Sequence, residues 1–146
     1  MKHEFTSSIV HPGGRAGIGE LMIGDLSREV SIPAELSGPG MGSNPDDLLL
    51  ASASTCFTLT LAAMLDASGI EVASMKVDSK LIVDESKMTV RVEKIVHNLD
   101  LMLAEDTSDA KLEMAEKLAQ RAESNCMITR ALAGNVEVEL MSMIGR

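Results

Sequence analysis

Hydrophobic and polar positions along the chain follow two periods, and each change of period marks an element. Residues 3–10 suit a first strand. Residues 16–32, AGIGELMIGDLSREVSI, suit a hairpin that turns at Gly24-Asp25, where glycine permits the positive φ of a tight turn. A proline- and glycine-rich loop, PAELSGPGMGSNP, follows from Pro33 to Pro45. It ends in a helix start. Asn44 caps, Pro45 takes the first helical position, and Asp46 and Asp47 stand where the helix dipole favours negative charge. The helix is expected to run to about Ser68, with Gly69 past its end. At helical spacing Leu49, Ser52, Ala53, Cys56, Thr60 and Ala63 share one side, and Leu50, Phe57, Leu61 and Met64 make the opposite side apolar as well. A helix of this kind is expected to be buried on every side. In so short a chain a second subunit is one source of the covering surface.

Residues 71–83 alternate: Met75, Val77, Leu81 and Val83 point one way, and Lys76, Asp78 and Lys80 the other. Asp84-Glu85-Ser86-Lys87 is expected to turn the chain. Met88, Val90 and Val92 then oppose Thr89, Arg91 and Glu93 on the next strand. A second helix is predicted over residues 107–124, capped by Thr107 or Ser108, with Leu112, Ala115, Leu118, Ala119 and Ala122 on its inner face. One further turn of that face meets Cys126. Gly134-Asn135 breaks the chain, and NVEVELM gives a last alternating strand.

Composition narrows the classes. At 146 residues the chain is expected to form a single domain, residues 1–146, large enough to bury a core. Phe5 and Phe57 are its only aromatic residues, so its eleven methionines fill space in their place. The net charge is −9 and no run of Lys or Arg forms a stripe, which argues against nucleic-acid and anionic-membrane partners. MKHEFTSSIVHPGG lacks the apolar core of a signal peptide, and the helix around Cys56 is interrupted by Ser and Thr, so a cytoplasmic location is the expectation. In such a compartment two cysteines argue against a static structural disulfide. His3, His11 and His97 offer no ligand spacing that would complete a zinc site, and no metal or other cofactor is implied.

Each cysteine therefore falls on the inward face of a different helix, or on its extension. If those helices pack together, a Cα separation of ~4.4–6.8 Å would let the two thiols bridge. Two plain core cysteines are the other reading.

GSNPDDLLLASASTCF resembles the motif G-T-N-P-E-x-L-x-x-A-x-x-A-C-F of the OsmC/Ohr family, the osmotically induced and organic hydroperoxide resistance proteins. HPGGR near the N-terminus, the strand–strand–helix order after the first helix, and a second cysteine near the end of the last helix also agree. The resemblance spans nearly the whole chain. It implies an α+β fold, two curved antiparallel sheets around two central helices in an intertwined homodimer. It further implies a thiol-dependent peroxidase that reduces organic hydroperoxides, with Cys56 as the peroxidatic cysteine and Cys126 as the resolving one. Arg15, ending GGR, would activate Cys56, and Asp46 stands where the family usually has the glutamate that pairs with this arginine. A dithiol, in this family sometimes a lipoylated protein, would recycle the disulfide. A non-catalytic dimer that binds a small apolar molecule, or a thiol redox sensor, is the alternative.

The chemistry needs those residue types. Only the thiolate attacks a peroxide O–O bond, and a thiol with its ordinary pKa of about 8.5 is mostly protonated near neutrality. A guanidinium stays charged and presents a rigid donor fork. One geometric difficulty stands out. Ten residues along a straight helix place Asp46 and Cys56 ~15 Å apart and ~80° round the axis. Either the helix bends or starts after Asn44, or Arg15 spans the gap, or the two groups come from different subunits. Met127 also departs from the proline that many family members carry after the resolving cysteine, so the backbone there is expected to be free to continue as helix.

Overall fold

The computed structural model describes residues 1–86 and 89–146, so the turn position expected for Lys87 and the strand position expected for Met88 lie outside the described residues. The chain forms two compact units, residues 1–48 and 49–146.

The first unit is a three-stranded antiparallel sheet, β1 (Ser7–Val10), β2 (Gly19–Ile23) and β3 (Leu26–Val30), in that order. The first strand is shorter than predicted, because pairing with β2 starts only at Ser7↔Ile23. The hairpin turns where expected: Ile23 pairs with Leu26 across two residues, and Gly24 adopts φ 54°. After a single 3-10 turn (Ala34–Leu36), the loop returns to β3. There the Ser43 N–H donates to Glu29 O at 2.9 Å and the Ser31 N–H to Ser43 O at 3.1 Å. Gly42 is required at this crossing. A Cβ would lie 2.1 Å from the Glu29 carbonyl oxygen, and its φ is 70°.

Helix α1 (Pro45–Ala67) starts as predicted, with the Asp47 N–H donating to Asn44 Oδ1 at 2.9 Å. It ends in a Schellman motif: Ile70 N–H to Leu65 O at 3.0 Å, Gly69 N–H to Asp66 O at 2.9 Å, and Gly69 at φ 62°. By length and composition alone this helix could cross a membrane. Within the chain it buries Ala53, Phe57, Leu61 and Leu65, one stripe at i, i+4 spacing. The expectation of burial on every side is corrected for the single chain: Ser52, Thr55, Leu59 and Ala63 are exposed.

The second unit's sheet is β4 (Val72–Asp84), β5 (Arg91–Leu103) and β6 (Glu137–Gly145), with β5 central. The α+β class stands, but the sheet is mixed, not antiparallel: β5 pairs antiparallel to β4 and parallel to β6. Two helices, α2 (Asp109–Asn125) and α3 (Met127–Leu132), separate β5 from β6 and carry the chain back, as a parallel pair demands. Ile95, His97, Leu99, Leu101 and Leu103 form the buried face of β5. Two apolar clusters follow. In one, Phe57, Leu61 and Leu65 pack with Leu99, Leu101 and Leu103, and with the small residues Ala115, Ala119 and Ala122 of α2, which allow close approach. In the other, Ala53 and Ile95 meet Val136, with Leu50, Ile128 and Leu132 against them. The second cluster seats α3 beside the middle of α1.

Candidate active site

That packing decides where the cysteines go. Cys56 projects from α1 one residue before the buried Phe57, and Cys126 is the junction between α2 and α3, fully buried. Ser108 caps α2 by accepting from the Lys111 N–H at 3.3 Å. At its other end the Cys126 N–H closes the helix onto Ala122 O at 2.9 Å. Cys126 has φ −53° and ψ 125°, extended backbone, so the helix stops there and α3 begins at Met127. Without the family proline the backbone at Met127 does enter a helix, α3, but only after this break at Cys126. The break turns Ile128 and Leu132 toward Ala53 and Ile95, burial that a straight continuation of α2 would forgo.

The two thiols meet, and both are free. Burial pushes Cys56 up, but four donors outweigh it: the Cys126 thiol, the Ile128 and Met127 N–H groups, and the Thr60 hydroxyl. The net effect holds Cys56 below its ordinary value. The opposite holds for Cys126. Burial and the neighbouring Cys56 push it up, against weaker opposition from the Thr129 and Ile128 N–H groups and the Thr129 hydroxyl. Cys56 is thus the sulfur that ionises first, through neutral dipoles of this unit: the Cys126 thiol first, then the amides that open α3 and the Thr60 hydroxyl.

Thr60 faces the Cys56 sulfur, whereas Ser54 and Thr58 donate to the carbonyls of Leu50 and Ser54 at 2.9 and 2.7 Å. Ser52 is exposed. Arg15 is an exposed residue of the first unit; its guanidinium donates to the carbonyl oxygens of Leu36 and, at 3.4 Å, of Ser37. Asp46, half-buried in the first turn of α1, is not among its partners. Because α1 starts at Pro45, Asp46 stands on the same helix as Cys56, ten residues before it. His11 is exposed, and its Nδ1 accepts from the Gly13 N–H at 2.9 Å.

Sequence reasoning gave no role to three residues near this centre. His97 stacks on Phe57 with ring centroids 5.1 Å apart and planes 11° apart. Its Nδ1 pairs with Ser79 Oγ at 2.7 Å, while its buried Nε2 has no partner among the described residues. Thr129 and Glu123 flank Cys126, and the Thr129 hydroxyl is buried. A histidine interrupting the apolar face of β5 was the one visible signal.

Residues 38–141 match the family described as OsmC-like protein. The chain is 41% identical to the Bacillus subtilis protein named uncharacterized protein YmaD over 142 residues, covering 97% of this chain and 95% of that one. It is 28% identical to the organic hydroperoxide resistance protein OhrB of Bacillus subtilis over 137 residues, covering 93% and 96%. A solved organic hydroperoxide resistance protein OsmC of Legionella pneumophila shares the fold at a TM-score of 0.74 with 23% identity, covering 99% of this chain and all of that one. By sequence and by architecture, this chain belongs to the OsmC-like protein family.

Proposed function

We propose that the protein is a thiol-dependent peroxidase that reduces organic hydroperoxides to alcohols in the cytoplasm. The observation that supports this most directly is the thiol pair: Cys56 held below its ordinary pKa and touching a more basic, fully buried Cys126. Kinship with proteins named for organic hydroperoxide resistance supports the substrate class. The Cys56 thiolate attacks the terminal peroxide oxygen, the O–O bond breaks, and the alkoxide leaves as the alcohol on taking a proton. Cys56 is left as a sulfenic acid. Cys126 condenses with it, releasing water, and an external dithiol reduces the disulfide by exchange.

Arg15 and Asp46 enter the proposal on the family resemblance, as a cation for the peroxide oxygens and its holder. A homodimer belongs to the same reading, since α1 leaves an apolar face with Leu59 exposed, and a covering copy would bury it.

Mixing the reduced protein with cumene hydroperoxide and a dithiol tests the reading by peroxide loss. Cys56→Ser is expected to fall to background. Arg15→Ala is expected to lose roughly a hundredfold, the usual cost of removing one charge-stabilising donor. Cys126→Ser is expected to complete one turnover and then overoxidise. Equal peroxide loss in the wild type and Cys56→Ser would refute the reading. A protein that forms the disulfide yet turns over with no dithiol would instead be a sensor.

A further inference from the structure

The peroxidase reading gives Arg15 a task, and a long flexible cation performs such a task well only when it is held in place. Residues of the first unit hold Arg15 at both ends. Its backbone lies in the turn that the Gly17 N–H closes onto Gly14 O at 3.2 Å. At the tip, its guanidinium donates from Nη2 to Leu36 O and from Nε to Ser37 O, the latter at 3.4 Å. Asp46, to which the resemblance gives this role, is not among those partners.

The two carbonyls are available because of how the 3-10 turn Ala34–Leu36 ends. Pro33 O accepts from the Leu36 and Gly38 N–H groups at 3.1 and 3.0 Å, and Ala34 O accepts from the Ser37 N–H at 2.9 Å. A helical turn leaves its last carbonyls without a partner inside the helix, and a basic side chain can take them. What brings two successive carbonyls onto one guanidinium is the backbone of Ser37. It lies at φ 61° and ψ 34°, and among the described residues it is the only non-glycine at positive φ. A side chain disfavours that conformation, and the Ser37 side chain is exposed, so burial does not compensate. The strain serves the backbone.

Resting on the peroxidase reading, we infer that Ser37 is a positioning residue for Arg15: its left-handed backbone turns the Leu36 and Ser37 carbonyls onto the guanidinium and fixes the cation that meets the peroxide oxygens. The Ser37 hydroxyl has no part in this. Neutral carbonyls orient the guanidinium without cancelling its charge, as a carboxylate in part would. Three of its five N–H groups stay free, and Arg15 lines a cavity of about 340 Å³ with Ala16, Ser37, Gly38 and Pro39.

Ser37→Gly and Ser37→Val separate backbone from side chain. Glycine takes the left-handed region freely, whereas a β-branched residue is an outlier there. With cumene hydroperoxide and a dithiol, Ser37→Val is expected to lower kcat/KM roughly tenfold, the scale on which a side chain disfavours that region. Ser37→Gly, the conformationally conservative variant, should keep the wild-type value. In an Arg15→Ala background Ser37→Val should bring no further loss, because the carbonyls then have nothing to hold. A merely structural role would slow both backgrounds alike. Phenylglyoxal, which modifies free guanidinium groups, reads the hold without a peroxide. Mass spectrometry should find Arg15 modified roughly tenfold faster in Ser37→Val than in the wild type or Ser37→Gly. Equal modification in the wild type and Ser37→Val overturns the inference, as does an equal slowing by Ser37→Val with and without Arg15. Failure of the peroxidase reading would appear instead as equal peroxide loss in the wild type and Cys56→Ser, with the phenylglyoxal difference intact.

Discussion

His97 is a neutral imidazole packed where a leucine would do: on the buried face of β5, stacked on the ring next in sequence to Cys56. Burial holds its pKa below the ordinary value. The unfolded chain, titrating near ~6.5, therefore binds a proton more readily than the folded one. Stability is full above that value, declines as pH falls through it, and levels off below the folded pKa. Each unit of depression is worth ~1.4 kcal/mol. Urea unfolding of the wild type and His97→Leu at several pH values checks this. The decline through ~6.5 should vanish in the variant, and parallel profiles would refute it. Among single residues, the two cysteines were legible as candidates because they are the chain's only thiols. Their difference in acidity was not. The donors to Cys56 include backbone N–H groups of Met127 and Ile128, which every residue but proline carries and no side-chain pattern advertises.

Elements were read better than their junctions. The cap at Asn44, the stop at Gly69 and the two-residue turn at Gly24 each follow from local chemistry, and each was found where expected. The break at Cys126 was not, because MITRAL carries no local stop signal and only packing of Ile128 and Leu132 on Ala53 rewards it. Met127 occupies the first position of α3, which suits proline, and Cys126 before it is already extended, as proline requires of its predecessor. Met127→Pro should therefore fold with stability changed by under about 0.5 kcal/mol. It removes one N–H that faces the Cys56 sulfur. Alkylation of Cys56 followed against pH, in a Cys126→Ser background, should then show its midpoint move up toward the ordinary thiol value of about 8.5. A midpoint that stays put would mean that the Met127 amide does not support the thiolate.

At the scale of the molecule, each unit has its own sheet, and α1 leaves Leu59 64% exposed in the single chain. If a second copy covers that face, sedimentation of the wild type gives twice the mass of one chain. Leu59→Glu, which would bury an unpaired carboxylate, shifts it to the monomer. A monomeric wild type refutes the dimer. The sequence by itself determined the alternating strands, the capped apolar helix and the pair of candidate thiols, because capping, turn chemistry and burial periodicity act over a few residues. Tertiary structure alone decided that β6 lies parallel to β5, since alternation is the same in either direction. It alone decided that Cys126 meets Cys56. That contact joins α1 to a corner far along the chain, and that corner takes its shape from the burial of Ile128 and Leu132, which no local signal encodes.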